Sequence, residues 1–219
     1  MLIKMVKKRT FLILSSLIIL LIVYLFPTKK EDKTYIQNEN TDFSIVYLID
    51  QNNLLSRVSV VTKNTNIDNQ IKEITEYLTY GSNKKDYLSD GFKPVIPKGT
   101  KLLYFKIDDD LLTLNFSKKL LTITEEDEKK LISSLVYTYT SIDGINKITI
   151  YVEGNLLDRL PNSNEKIPQI IDKSYGINQI YNITDINGTT KTTIYYLSKY
   201  KDYYYYVPVT LINNDKSDK

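Results

Sequence analysis

The chain has 219 residues, with 29 Lys and Arg against 26 Asp and Glu. That near-balance gives no electrostatic argument for nucleic acid or for a strongly acidic partner. The sequence holds no Cys and no His, which excludes disulfides, thiolate metal sites, Ser-His-Asp and Cys-His nucleophiles and the His-ligated zinc hydrolases.

Residues 1–9 carry Lys4, Lys7, Lys8 and Arg9 and read as a basic cytoplasmic tail. Residues 10–28 (TFLILSSLIILLIVYLFPT) are uncharged and dominated by Leu and Ile. A bilayer core needs about 17–25 mostly apolar residues in a helix, and only a helix satisfies its own backbone there. The expectation is a transmembrane helix, single-pass, with its N-terminus inside by the positive-inside rule and the remainder of the chain extracytoplasmic. A cleaved signal peptide would need a small-x-small site, which Tyr24-Leu25-Phe26-Pro27 does not supply. The absence of Cys excludes a lipoprotein anchor. Residues 29–42 are polar and read as a linker between membrane and domain.

Ser44–Asp50 (SIVYLID) and Leu54–Thr62 (LLSRVSVVT) read as paired strands around the turn Gln51-Asn52-Asn53. Asn66 or Asp68 can cap a first helix whose Ile67, Ile71, Ile74 and Leu78 form one apolar stripe, with Gly81 as its stop. Residues 82–97 form an irregular connection. Lys101–Ile107 and Leu111–Phe116 follow as strands about the turn Asp108-Asp109-Asp110, with Leu112, Leu114 and Phe116 on one face.

Thr124 before Glu125, Glu126 and Asp127 predicts the N-terminus of a second helix through a variant capping box. Leu131, Leu135, Val136 and Tyr139 form its apolar face. Lys147–Val152 is a further strand, closed by Gly154. The order β-β-α-β-β-α-β predicts an α+β fold, a two-layer sandwich with both helices on one face of a mainly antiparallel sheet.

Three stretches together resemble the GerMN domain, the sporulation and spore-germination domain family. Val46-Tyr47-Leu48-Ile49-Asp50 followed by Arg57-Val58-Ser59-Val60-Val61 resembles that family's opening hairpin. Ile96-Pro97-Lys98-Gly99-Thr100-Lys101-Leu102-Leu103 resembles its "lPeGtkll" segment. Leu112–Ser117, and Leu135–Thr138 ahead of Ile145–Ile148, resemble its later strands and second helix. The resemblance spans about Phe43 to Gly154 and rests on the order of the pieces. The family's first helix often ends in "ll.Gp", where this chain has Tyr80-Gly81-Ser82. The resemblance implies a domain over residues 43–158 that acts in sporulation or spore germination as an envelope assembly factor with protein partners, the alternative being a general envelope protein in a bacterium that does not sporulate. The absence of catalytic residue types adds the expectation of no enzymatic activity.

A repeat points the same way. Ile194-Tyr-Tyr-Leu-Ser-Lys mirrors Ile45-Val-Tyr-Leu-Ile-Asp, and 13 positions separate Ile45 from Val58 as they separate Ile194 from Val207. Residues 192–212 therefore read as the opening hairpin of a second, incomplete domain, joined by a linker over 159–191 and followed by a polar tail at 213–219. The alternative is a hairpin docked on the first domain. A lone hairpin is marginal in water, which favours a truncated or degenerate second copy.

Three clusters invite a sharper chemical reading. Asp108-Asp109-Asp110 could ligate a hard cation, but it lacks the alternating spacing and distal Glu of such loops and reads better as a solvated turn. Glu125, Glu126, Asp127 and Glu128 could be catalytic carboxylates, but they stand where a helix wants acids. Strand alternation sets Tyr203 and Tyr205 opposite Tyr204 and Tyr206, so one half of that run can be exposed and sticky. No catalytic, cofactor or metal residue is assigned. The expected partners are the membrane and envelope proteins, with peptidoglycan as the alternative through the tyrosines, and no nucleic acid.

Overall fold

A computed structural model describes residues 42–63, 66–184 and 188–214. The expected cytoplasmic tail and transmembrane helix, the stalk up to residue 41 and the tail beyond residue 214 lie outside the described residues. Among the described residues no helix is long and apolar enough to cross a membrane.

The elements run β1 (Asp42–Ile49), β2 (Leu55–Thr62), α1 (Ile67–Leu78), β3 (Leu102–Asp108), β4 (Leu111–Phe116), α2 (Glu125–Tyr139), β5 (Lys147–Val152), β6 (Asn155–Leu156), β7 (Ile180–Asn182), β8 (Thr189–Tyr200) and β9 (Tyr203–Asn214). The expected order through Val152 is present. Asn66 caps α1, its side chain accepting from the Asn69 N–H at 2.8 Å. Leu112, Leu114 and Phe116 are all fully buried from one face of β4.

The single antiparallel sheet is not what forms. Among the described residues the strands make two sheets, one ordered β1-β2-β9-β7 with β8 paired to β9, the other β3-β4-β5-β6. β4 and β5 are parallel, because the intervening α2 makes a crossover connection of the kind parallel neighbours require. Helix α2 packs on β1 of the first sheet and on β5 of the second, so it is a central helix, not a lid on one face. Every residue from Leu131 to Tyr139 is buried.

The polar side of α2 explains how this is possible. Ser134 Oγ donates to the Tyr47 carbonyl at 2.6 Å and Thr138 Oγ1 accepts from the Tyr47 N–H at 3.0 Å. Ser133 Oγ donates to the Gly176 carbonyl at 2.9 Å. These hydroxyls satisfy backbone groups that burial would otherwise orphan. The apparent solvent face of the stripe is therefore a second, hydroxyl-lined contact face.

The first part of the expected linker over 159–191 carries side chains that pack into the core. Leu160, Ile167, Ile171 and Ile177 are buried in the same core as α2 and β5, and Ile148 and Ile171 exchange backbone hydrogen bonds at 2.8 and 2.9 Å. Glu128 holds its start. This buried carboxylate accepts from the N–H of Asn162 at 2.8 Å, the N–H of Ser163 at 2.9 Å and the Asn162 amide at 3.1 Å. Burial alone would raise its pKa, but these hydrogen bonds outweigh burial and hold it below the ordinary Glu value. Thr124 is the N-cap of α2, as expected, but its hydroxyl bonds the Asp127 side chain at 3.2 Å instead of closing a capping box.

The Glu128 → Gln variant keeps the shape and loses a charge-assisted acceptor, and is expected to lower stability by about 2 kcal/mol at neutral pH in urea unfolding. Because the folded-state pKa is depressed, this contribution is present above the unfolded carboxylate pKa. It fades as pH falls through the folded value, so the gap between wild type and variant should close in acid.

Candidate interaction surface

The C-terminal hairpin β8–β9 is the least ordinary part of the molecule, and a single carboxylate fixes its place. Asp50, in the β1–β2 turn, is buried. Its Oδ1 accepts from the N–H groups of Asn52 at 2.8 Å and Leu54 at 3.0 Å, and its Oδ2 accepts from Ser56 Oγ at 3.0 Å and Tyr205 OH at 3.1 Å. Burial raises the Tyr205 phenol pKa, and the neighbouring Asp50 charge adds to the rise. Phe92 closes over Tyr205 edge-on, with ring centroids 5.0 Å apart.

Asn178 makes a second junction. β9 pairs with β2 at Arg57–Tyr206 and with β7 at Leu211–Asn213. Between these points, among the described residues, its backbone has no neighbouring strand on that side. The Asn178 amide fills the gap, donating to the Leu55 and Pro208 carbonyls at 2.7 Å each and accepting from the Leu55 N–H at 2.9 Å. Its backbone is left-handed, φ 46°, a conformation that Asn tolerates better than most residues.

The two hairpins are not superimposable copies. Val46 pairs with Val58 in the first, but Tyr195 pairs with Pro208, one residue beyond the counterpart Val207. The cause is the turn: β8 and β9 join through the two residues Lys201-Asp202, whereas five residues, 50–54, join β1 and β2. A one-residue change of register moves side chains to the opposite face of their partners. Tyr195 and Leu197 thus lie beside Pro208 and Tyr206, away from Val207 and Val209.

The tyrosine run divides as the alternation predicts. Tyr203 and Tyr205 stack at 6.3 Å and both meet Phe92. Tyr204 and Tyr206 face the other way, 58% and 51% exposed, beside Leu197 at 62% and Tyr195 at 52%. Lys199 Nζ lies 5.1 Å from the Tyr204 ring centroid. Tyr47, Arg57, Tyr206 and Leu197 are successive cross-strand partners, so they share a face. At the Tyr47 end the ring packs edge-on against Tyr137 of α2 at 5.4 Å. At the Leu197 end the side chains stand in solvent. Further along β8 the helix still makes contact, Tyr137 OH lying 3.4 Å from Thr193 Oγ1, so it is the turn end of the hairpin that stands clear.

The other candidates resolve into structural roles. Asp109 takes a positive φ of 52° at the β3–β4 turn, and Asp110 pairs with Lys147 at 3.3 Å. Lys147 and Asn146 hold the Asp110 carboxyl below its ordinary value. Among the described residues no group of three or more acidic side chains could hold a metal ion. Glu126 accepts from the Asn53 amide at 2.6 Å, Asp127 pairs with Lys130 at 2.8 Å, and Glu128 points into the core. Glu126 and Asp127 converge on Lys130, at 3.7 and 2.8 Å, while Glu128 turns to the opposite, buried side. A cleft of about 580 Å³ lies beside β9, lined by Lys129, Glu165, Tyr175, Asn178, Tyr181 and Lys191. Its Lys129 and Glu165 pair with each other at 2.6 Å. Sequence reasoning missed the roles of Asp50, Glu128 and Asn178, each of which has at least one partner remote in the chain.

Comparison with known proteins gives a consistent result. The sequence profile of the Germane family, described as sporulation and spore germination, matches residues 45–158. The spore germination protein GerM of Bacillus subtilis (strain 168) is 29% identical over 185 residues, covering 83% of this chain and 50% of that protein. The chain thus matches about half the length of this curated relative. The solved tandem GerMN domains of GerM from Bacillus subtilis align with TM-score 0.75 and 27% identity, over 81% of this chain and 63% of that one. The first GerMN domain alone aligns with TM-score 0.55 and 25% identity, over 61% and 99%.

Tyr205 → Phe removes one donor from Asp50 and should cost about 1–2 kcal/mol in urea unfolding, whereas Asp50 → Ala, which strands every donor at once, should cost about 3 kcal/mol or more.

Proposed function

The chain belongs to the Germane family of sporulation and spore germination proteins, and from that premise we propose that it is a membrane-anchored, extracytoplasmic interaction protein of the cell envelope, without enzymatic activity, acting in sporulation or germination. The observation that carries the interaction reading is the exposed face of Tyr195, Leu197, Tyr204 and Tyr206 on a hairpin held rigidly by Asp50 and Asn178. Exposed aromatic and aliphatic side chains grouped on a fixed surface mark contact sites.

The anchor rests on residues 10–28, uncharged and long enough for a bilayer. The non-enzymatic reading rests on the absence of His and Cys and on carboxylates engaged as helix-end and turn acceptors. We read residues 192–212 as the opening hairpin of a second domain of the same kind. The larger share of the chain matched by the tandem structure than by the single domain supports this, 81% against 61%. The partner is an envelope protein. Peptidoglycan is the second reading, favoured by the exposed Tyr204 and Tyr206, on which sugar rings can stack.

Fractionation and sedimentation test the proposal. The full-length chain is expected in the carbonate-resistant membrane fraction, and a variant lacking residues 10–28 in the soluble fraction. Purified protein should leave peptidoglycan undigested and should not sediment with it. Turnover abolished by one carboxylate substitution would overturn the non-enzymatic reading. Retention on peptidoglycan lost with Tyr204 → Ala and Tyr206 → Ala would move the assignment to glycan binding.

A further inference from the structure

The sheet edges of this molecule are treated unequally. β1 is closed at its outer edge: Tyr47 is bonded by Ser134 and Thr138 of α2, and Ile49 exchanges backbone hydrogen bonds with Lys93 at 2.9 and 2.7 Å. β3 is interrupted by a bulge between Leu102 and Tyr104 and carries Lys106 and Asp108. β6 and β7 have two and three residues. β8 differs from all of these. It runs 12 residues in unbroken register with β9, and among the described residues no main chain pairs with its other side, where the Gln51 side chain alone donates to the Lys199 carbonyl near the turn, at 3.3 Å. It also exposes Tyr195, Tyr196 and Leu197 in succession. Natural edge strands are normally shortened, bulged, charged or covered. β8 keeps only Lys191 and Lys199 among its middle residues.

We propose that β8 pairs antiparallel with β8 of a second copy of this chain, about a two-fold axis at Tyr196. The inference deepens the interaction reading above and rests on it, since it names the partner that the hairpin meets.

Symmetry, charge and the side chains brought opposite one another together select the register. Two antiparallel strands related by a two-fold axis keep their faces, so the axis must pass through a residue facing its own copy. Centring on Tyr195 sets Lys191 against Lys199 twice, and like charges directly opposite destabilise a sheet. Centring on Leu197 sets Tyr195 against Lys199 and shortens the paired stretch to residues 194–200, and centring on Ile194 pairs residues 189–199 without opposed lysines but sets Lys191 against Leu197 and Thr192 and Thr193 against Tyr196 and Tyr195. Centring on Tyr196 pairs residues 192–200 with no lysine facing a lysine inside the stretch; Lys191 and Lys201 come opposite only beyond its ends, where the chain has passed into the turn. It places Tyr196 against Tyr196, Tyr195 against Leu197, Ile194 against Ser198, and Thr193 against Lys199. Aromatic and aliphatic pairs then occupy the centre, where cross-strand contacts stabilise a sheet most directly. The joined sheets also unite the two exposed faces of Tyr195 and Leu197 into one surface, continuous with Tyr204 and Tyr206 of each copy.

The absence of Cys from the sequence makes the test clean. In the full-length chain, extracted in mild detergent, Tyr196 → Cys is expected to give a covalent dimer with a short bismaleimide. Thr193 → Cys should not, because its two copies lie six positions apart, about 20 Å. Light scattering should show twice the chain mass for wild type. Tyr196 → Lys sets two ammonium groups face to face at the axis and should weaken association at least tenfold. Thr190 → Lys adds the same charge outside the paired stretch and should leave the dimer intact, which separates lost pairing from lost folding. A monomer at all concentrations overturns the proposal, as does equal cross-linking from positions 193 and 196, or a Tyr196 → Lys chain that still dimerises. A monomer that still enters the membrane fraction and leaves peptidoglycan untouched defeats the pairing alone. Turnover by an intact dimer defeats the non-enzymatic reading alone.

Discussion

The buried carboxylate of Asp50 is the constraint from which much of the molecule follows. An ionised group out of water must be surrounded by donors or it destabilises the fold severely. Two of its donors are the backbone of its own turn, one is Ser56 and one is Tyr205, 155 positions away in sequence. The local donors shape the β1–β2 turn. The remote one requires the C-terminal hairpin to sit against that turn. Once Tyr205 is there, Phe92 covers it, Val207 and Val209 enter the core, and the hairpin's opposite face is turned outward. The position of the exposed tyrosines is thus a consequence of where one carboxylate finds its fourth donor.

Helix α2 provides the second organising element. A helix buried all round is ordinarily uniformly apolar. This one instead carries Ser133, Ser134 and Thr138 in the middle of the protein, each bonded to a partner outside the helix. The hydroxyls let the helix lie against the β1 edge and close it. The same helix reaches β8 only through Tyr137, whose hydroxyl lies 3.4 Å from Thr193 Oγ1, and Leu197, four residues nearer the hairpin turn, stays in solvent.

The sequence makes local structure legible and long-range structure much less so. Strand alternation at Leu112, Leu114 and Phe116, the Asn66 cap and the division of Tyr203–Tyr206 each depend on neighbours within a few residues, and each is present as read. The partition into two sheets depends on how a crossover through α2 is accommodated, which periodicity does not encode. Leu160, Ile167, Ile171 and Ile177 are too sparse among Pro, Asn and Lys to signal an element, yet each reaches the core. Glu128 looked like one more acid in a first helical turn. Its actual role needs Asn162 and Ser163, more than 30 positions on. Asn178 gave no signal because an amide that substitutes for a missing strand neighbour resembles any turn Asn. The interaction surface was partly visible through its tyrosines, but the turn at Lys201-Asp202 decided its register.

That turn also separates two ideas that the repeat invites one to merge. By sequence the hairpin is the beginning of a second domain. By packing, Tyr205, Val207 and Val209 belong to the same core as β1, β2 and α2, and the described residues fall in one compact unit. An isolated two-stranded hairpin would be marginal, and this one is stable by sharing the first domain's core through β9. The cost falls on β8. Shortening the turn by three residues shifts the pairing by one and removes Tyr195 and Leu197 from the face of Val207 and Val209. In the first hairpin the counterparts of Tyr195 and Leu197, Val46 and Leu48, are fully buried. A repeat that conserved its register would have presented a face shaped like the first; the shifted one presents aromatic side chains to solvent. Register, set by two turn residues, converts an interior sequence pattern into a surface.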